Sequence, residues 1–298
     1  MSVIKRPAAL ITGCSPGGLG FELVKAFEAR GFHVFATARN PAKILTSSMG
    51  ANVEAIPLDV VSRESIASCL EHVRKRTGDK LDVLVNNAGV MLMGPLVHAS
   101  MEDARKTYDV NVFGTLAVAQ AFTPLLARAR GVILNISSLA GAIPMAWQGV
   151  YNSSKAAKTF LSETLRIELE PVGIRVVTAM VGEMSTNIYD HVDSGEGFSP
   201  SLPKESWYKP VEDIIRAQGR GQLQLNNEDP RITAQNLVND TLGGKRGKTW
   251  RGGVAGFASV ASWLLPGRLF EWILHKDRGV YNPSITRVAA AQSIQSVG

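Results

Sequence analysis

The chain has 298 residues, 45% of them hydrophobic and 19% charged, and its 32 lysines and arginines exceed its 26 acidic residues by a formal +6. That is ordinary globular composition, with no internal repeat or low-complexity tract, and the length suffices for one α/β domain with something added. The basic excess is spread out and forms no block interleaved with aromatics, so nucleic acid is not an expected partner; an anionic cofactor or a membrane surface suits it.

The opening MSVIKRPAALITG runs directly into a glycine turn, so it reads as a first strand and not as a signal peptide. Ala8 to Thr12 is that strand, Gly13 to Gly20 the turn, and Phe21 to Phe27 an amphipathic helix. Strand, glycine turn and helix make a pyrophosphate site, because unpaired N–H groups and the helix dipole face the anion. Gly13, Ser15, Gly18 and Gly20 are its candidate contacts. The second strand, Phe32 to Arg39, ends without the acid that would hold a ribose 2′-hydroxyl. A guanidinium stands there, which predicts preference for NADP(H).

Val53 to Leu58 is a third strand. Asp59 then either accepts from an adenine amino group or caps the helix that follows. Leu81 to Val85 is a fourth strand, and Asn86-Asn87-Ala88-Gly89 after it has small residues over which a ribose can pass. Cys14 falls in the glycine loop and Cys69 in an expected helix, so no disulfide framework is expected and a reducing compartment fits. Strands alternating with helices predict an α/β fold: a Rossmann-type doubly wound parallel sheet, in a single domain.

A long helix is expected from Met101 to Arg130, with Pro124 kinking it or lying in a late turn. Asn111 sits there between apolar neighbours and needs a partner, either a backbone group or a water near the site. The apolar run Gly131 to Leu134 is a buried strand. Tyr151 and Lys155 follow, four apart, on one face of a helix. An ammonium beside a phenol lowers the phenol's pKa and makes it a usable proton donor or acceptor. A serine at the end of the preceding strand can reach the same crevice.

Asn187 to Asn227 carries Tyr189, Phe198, Trp207 and Tyr208 among polar residues and reads as a lid over the substrate. Met145, Trp147, Met184 and Tyr189 flank the catalytic stretch and are the candidate substrate-binding wall, apolar and adaptable. Pro230 to Leu242 reads as a helix, and Trp250 to Leu274 as a last strand followed by two short helices. Phe257, Trp263, Leu264, Leu265, Leu269, Phe270, Trp272 and Ile273 either pack in the core or a dimer, or dip into a bilayer interface. In the second case Arg268, His275, Lys276 and Arg278 lie at the headgroups. Residues 282 to 298 read as poorly ordered.

From Ala8 to Thr186 the chain resembles the short-chain dehydrogenase/reductase family. Thr12 to Gly20 matches its glycine motif with one residue more, so that Gly13, Gly18 and Gly20 align with the motif glycines. Asn87-Ala88-Gly89 matches a second motif, and Tyr151 with Lys155 the acid–base pair. The resemblance implies that Ser138, thirteen residues before Tyr151, is the catalytic serine, with Ser137 the second choice. It implies that Asn111 is the fourth catalytic residue, and that Lys155 and Thr186 also hold the cofactor. Val181 stands where the family has proline. The tail is similar to the branch that includes fungal 1-acyldihydroxyacetone-phosphate reductases and 17β-hydroxysteroid-type reductases.

The expectation is therefore an NADPH-dependent reductase of a bulky hydrophobic ketone, with Tyr151 as proton donor. Its rivals are the same site run as an alcohol dehydrogenase, a nucleotide-binding redox sensor, and a structural protein of lipid droplets. Residues 1–248 would form the catalytic unit, with the lid at 187–227 and an apolar extension over 249–298. No metal is expected. The expected setting is cytoplasmic, in contact with the ER membrane or a lipid droplet, and self-association into a homo-oligomer is expected.

Overall fold

A computed structural model describes residues 3–44, 49–189, 202–224 and 226–295. Its centre is a seven-stranded parallel sheet of β1 (Ala8–Ile11), β2 (His33–Ala38), β3 (Val53–Pro57), β4 (Val83–Asn86), β5 (Val132–Ile136), β6 (Arg175–Val181) and β7 (Gly247–Arg251). The order across the sheet is β3-β2-β1-β4-β5-β6-β7. β1 lies between β2 and β4, so the winding reverses there and leaves a crevice beyond the strand ends. The strand from Arg175 to Val181 is one the sequence reading passed over.

The strands read as continuous apolar runs because both faces are covered. On one face Ala9 and Ile11 pack with Leu23 and Phe27 of α1 (Leu19–Glu28) and with Leu237 of α7 (Pro230–Leu242). On the other, Leu10 and Leu84 pack with Val73 of α2 (Arg63–Thr77) and with Phe122 of α4 (Thr115–Ala129). Local signals set several ends. Ser62 caps α2 by accepting from Ser65 N–H, and Gly78 ends that helix in the left-handed region. Asp229 caps α7, with Pro230 in its first turn.

The expected helix over 101–130 is three pieces. α3 (Met101–Tyr108) and α4 are joined by a π-helical turn, Asp109–Gly114, with Asn111 inside it. Such turns are rare and concentrate at functional sites. Pro124 lies within α4. The whole run 101–129 is long and apolar enough to cross a membrane, but half of it is buried against the sheet as a core helix.

After α5 (Gly149–Leu169), α6 (Glu212–Gly219) contributes Ile215 to a cluster with Trp147, Leu202 and Val211. Of the expected lid aromatics, Tyr208 stacks edge-on against Trp147 at 5.1 Å and Trp207 is exposed, while Phe198 lies outside the described residues. β7 spans the expected boundary at 248 and completes the same sheet. Then come α8 (Ala255–Leu264) and α9 (Gly267–His275). Ala258, Ala261 and Phe270 face Ile143 in a small core, while Trp263 is 91% exposed. The tail expected to be poorly ordered forms α10 (Pro283–Gln295). Proline in its first turn and three successive alanines favour that helix.

Candidate active site

The crevice at the strand ends is a cleft of about 450 Å³. Gly13, Ser15 and Gly18 line one end together with Arg39 and Asp59, and Ser138, Tyr151 and Lys155 line the other. Asn87, Met145, Met184, Thr186 and Tyr189 also line it. Gly20, Asn111 and Trp147 do not.

The turn from β1 into α1 is built on two close approaches. Gly13 has φ +71°, and a Cβ there would stand 2.9 Å from Ala88 Cα. A Cβ on Gly20 would meet Asn87 Nδ2 and the carbonyl of Gly13. Gly20 thus presses α1 against the β4 loop and leaves the ligand to Gly18, which is the helix N-cap and carries no capping side chain. Among the described residues nothing accepts from the N–H groups of Leu19 and Gly20. Asn87 ties the parts together, its Nδ2 donating to the carbonyls of Thr12 and Gly13. The bare backbone at Gly13 and Gly18, the free helix N-terminus and the exposed Arg39 at the end of β2 fit a dinucleotide with a phosphorylated ribose. Asp59 makes a local turn, accepting from Val61 N–H at 3.1 Å, and the helix cap is Ser62. A residue the sequence reading missed is Asn187. Its side chain donates to Pro16 C=O and folds over Gly17.

Tyr151 stands in the first turn of α5 and is 6% exposed. The Ser138 hydroxyl, two residues beyond the end of β5, bears on its phenol, and both side chains line the cleft. Ser138 Oγ also accepts from Ala140 N–H at 3.1 Å. Ser137 turns away, with its Oγ bonded to Lys155 C=O and to Thr159. Burial pushes the Tyr151 phenol above its usual value; the Ser138 hydroxyl opposes this, and Tyr189 adds to it. The expected acidification by Lys155 is therefore absent. The Lys155 ammonium lies 5.5 Å from the centre of the tyrosine ring and donates to Ile136 C=O at 3.2 Å. Burial brings Lys155 down to about 8.

Asn111 is fully buried and acts through its neighbours. Its amide pairs with the backbone of Val90, accepting from N–H at 2.8 Å and donating to C=O at 2.9 Å, and it also donates to Ser154 Oγ. The π-helical turn aims it there. Its side chain thus meets a backbone group, and it positions residues around the site without touching the cleft. Trp147 corrects the pocket expectation in the same way. Held at φ +67°, it buries its ring in the core and donates Nε1–H to Arg278 C=O at 2.7 Å.

Three more basic residues are buried around the site. Lys158, one turn beyond Lys155, is wholly buried and donates to Asn86 C=O at 3.0 Å. Burial and the neighbouring Lys155 hold it well below its ordinary value. Arg278 and His275, placed at membrane headgroups in one reading of the tail, are both buried. His275 Nε2 accepts from Ala146 N–H, and Arg278 lines the cleft with Gln148, Glu183 and Gln218.

A sequence profile for short chain dehydrogenase matches residues 7–197. The chain is 45% identical to the short-chain dehydrogenase cctT of Talaromyces islandicus, over 90% of this chain and 94% of that one. It is 38% identical to an NADPH-dependent 1-acyldihydroxyacetone phosphate reductase of Schizosaccharomyces pombe, over 69% of each. Among solved structures, a short chain dehydrogenase from Burkholderia cenocepacia in complex with NADP superposes with TM-score 0.68 at 26% identity, over 91% of this chain and 98% of that one.

Proposed function

The chain belongs to the short-chain dehydrogenase/reductase family, and from that premise we propose that this NADP-dependent oxidoreductase reduces the carbonyl of a bulky, largely apolar ketone, with Tyr151 as the proton donor. The observation that carries the reading is that Ser138, Tyr151 and Lys155 line one cleft together with the glycine turn and Arg39. Met91, Met93, Met145, Met184, Leu139 and Leu223 give that cleft an apolar, adaptable wall.

Arg39, Ser15, Asn87, Lys155 and Thr186 would hold NADP(H), which when bound supplies the electron pair and hydrogen taken up by the carbonyl carbon. The residues do the rest. Burial keeps the Tyr151 phenol protonated, which is the form a reduction consumes. Its proton passes to the carbonyl oxygen as negative charge builds there. Ser138 would donate its O–H to the same oxygen, with its Oγ held in place by Ala140 N–H. The Lys155 ammonium stands ready to bond ribose hydroxyls. Methionine and leucine side chains limit water around the reacting carbon.

The test is oxidation of NADPH with a panel of lipophilic ketones. Arg39→Asp is expected to lower kcat/KM for NADPH by about 10–100-fold and to narrow or reverse the preference over NADH. An unchanged ratio would remove Arg39 from the 2′-phosphate.

α8 and α9 present Phe257, Trp263, Leu264 and Trp272 outward, beside exposed Arg268 and Lys276. That pattern fits an anionic lipid surface such as the cytosolic face of the ER membrane or a lipid droplet. Phe113, Phe160 and Ile167, exposed on the turn before α4 and on α5, fit self-association into a homo-oligomer instead. Flotation with phosphatidylserine vesicles is expected to carry the protein upward, and Trp263→Ser with Trp272→Ser to leave it at the bottom. Wild-type protein that stays at the bottom would sink the membrane proposal.

A further inference from the structure

The substrate end of the cleft is not apolar throughout. Arg278 lines it and is 7% exposed. Its backbone is fixed, since its carbonyl accepts from Trp147 Nε1 at 2.7 Å. Its side chain is anchored at one point, Nε donating to Leu274 C=O at 2.8 Å. Among the described residues no hydrogen bond engages Nη1 or Nη2. Among the described residues its ion-pair partner is Glu183, with Oε1 3.8 Å from Nη2, a loose pair. Glu183 meanwhile accepts Asn226 N–H through Oε2. A buried guanidinium leaves most of its donors idle only at a high desolvation cost, unless a ligand takes them.

The neighbours place this group near the reacting centre. Tyr189 feels both Glu183 and Arg278, is pushed up to about 12 by burial, and in turn bears on Tyr151. Its hydroxyl accepts from Gln224 Nε2 at 2.5 Å, which leaves its own proton to donate. Tyr151, Tyr189 and Arg278 thus all line the one cleft as donors.

We propose that Arg278 binds a second, acidic oxygen of the substrate, so that the ketone reduced at Tyr151 also carries one negative charge, as a carboxylate or an acidic enol. The planar fork of the guanidinium suits two oxygens side by side. Glu183 sets the charge count. With its carboxylate 3.8 Å from Nη2, it offsets part of the guanidinium charge, so the fork suits one negative charge better than two. The substrate is then amphipathic, with its apolar body on the methionines and its acidic head on Arg278. This rests on the reductase reading above, because it assumes that a carbonyl lies at Tyr151.

Calorimetry on the chain loaded with NADP⁺ tests the subsite without turnover. Levulinate, para-acetylbenzoate and longer keto acids are titrated, each beside its methyl ester. At least one acid is expected to bind about tenfold or more tightly than its ester. Arg278→Gln should collapse that ratio towards one, and Arg278→Lys should restore part of it. Equal affinity of every acid and ester in the wild type overturns the proposal, and so does a ratio that survives Arg278→Gln. If Arg278→Gln fails to fold, the Arg278→Lys ratio and the wild-type comparison still decide. NADPH oxidation in parallel separates the two readings: no turnover with any ketone sinks the reductase, while the binding ratio stands or falls by itself.

Discussion

Tyr151→Phe is expected to lower kcat by about 10²–10⁴-fold while NADPH binds as before. The substitution removes one oxygen from a buried side chain and keeps the ring that packs under the Lys155 ammonium. Ser138 keeps Ala140 N–H as a partner, so the strand end should hold its shape. The melting temperature should change little, because no cavity larger than a hydroxyl opens. Stopped-flow measurement of NADPH consumption, with fluorescence titration of bound NADPH, reads the two effects separately. A rate close to wild type would remove the phenol from its role. Loss of NADPH binding in step with the rate would recast Tyr151 as a cofactor contact.

Lys158→Met is expected to stabilise the fold, on the order of 1–4 kcal/mol, or roughly 2–4 °C of Tm per kcal/mol. Lys158 has no carboxylate within ion-pair distance among the described residues; the charged group that bears on it is Lys155, on the same helix. From β4, only the carbonyl of Asn86 meets it. The sign of the pH effect follows from its lowered folded value. Between that value and the unfolded value near 10, the unfolded chain binds the extra proton, so wild-type stability rises with pH across that window. Below the folded value the full penalty remains. The gain from methionine should therefore be largest at neutral and lower pH and should shrink towards alkaline pH. Losing the bond to Asn86 C=O offsets about 1 kcal/mol of it. Thermal unfolding of both proteins near pH 6 and near pH 9 checks this. A variant less stable at both values would show that the Asn86 bond outweighs the buried charge.

Much of the frame was legible because it is local. Strands buried on both faces leave apolar runs, and glycines close them. The bounds of α7 could be read from Asp229, Pro230 and Gly243. The four-residue spacing of Tyr151 and Lys155 is common by chance and became informative only beside the glycine turn and Asn87-Ala88-Gly89. What stayed hidden depends on contacts distant in sequence. Trp147 precedes the catalytic helix in sequence, yet a left-handed backbone and a bond to Arg278 turn it into the core. Arg278 looked like a headgroup contact because it follows an apolar helix, and only the fold brings it back to the cleft. The influence of Lys155 on the phenol was misjudged for a similar reason. Four residues of spacing put the two side chains on one face, but the ammonium is drawn to Ile136 C=O at the end of β5. A fully buried Lys158 has no sequence signature, since lysine on a helix usually reaches solvent.

The clasp between His275 and Ala146, with Arg278 bonded to Trp147, has a bearing on biosynthesis. A ribosome delivers the nucleotide-binding strands first, and vectorial folding favours their early collapse. The loop that leads into the Tyr151 helix then waits, unbuttressed, for α9 to emerge. A nascent chain can thus acquire the means to hold a dinucleotide well before it gains a finished wall against which a second molecule could rest.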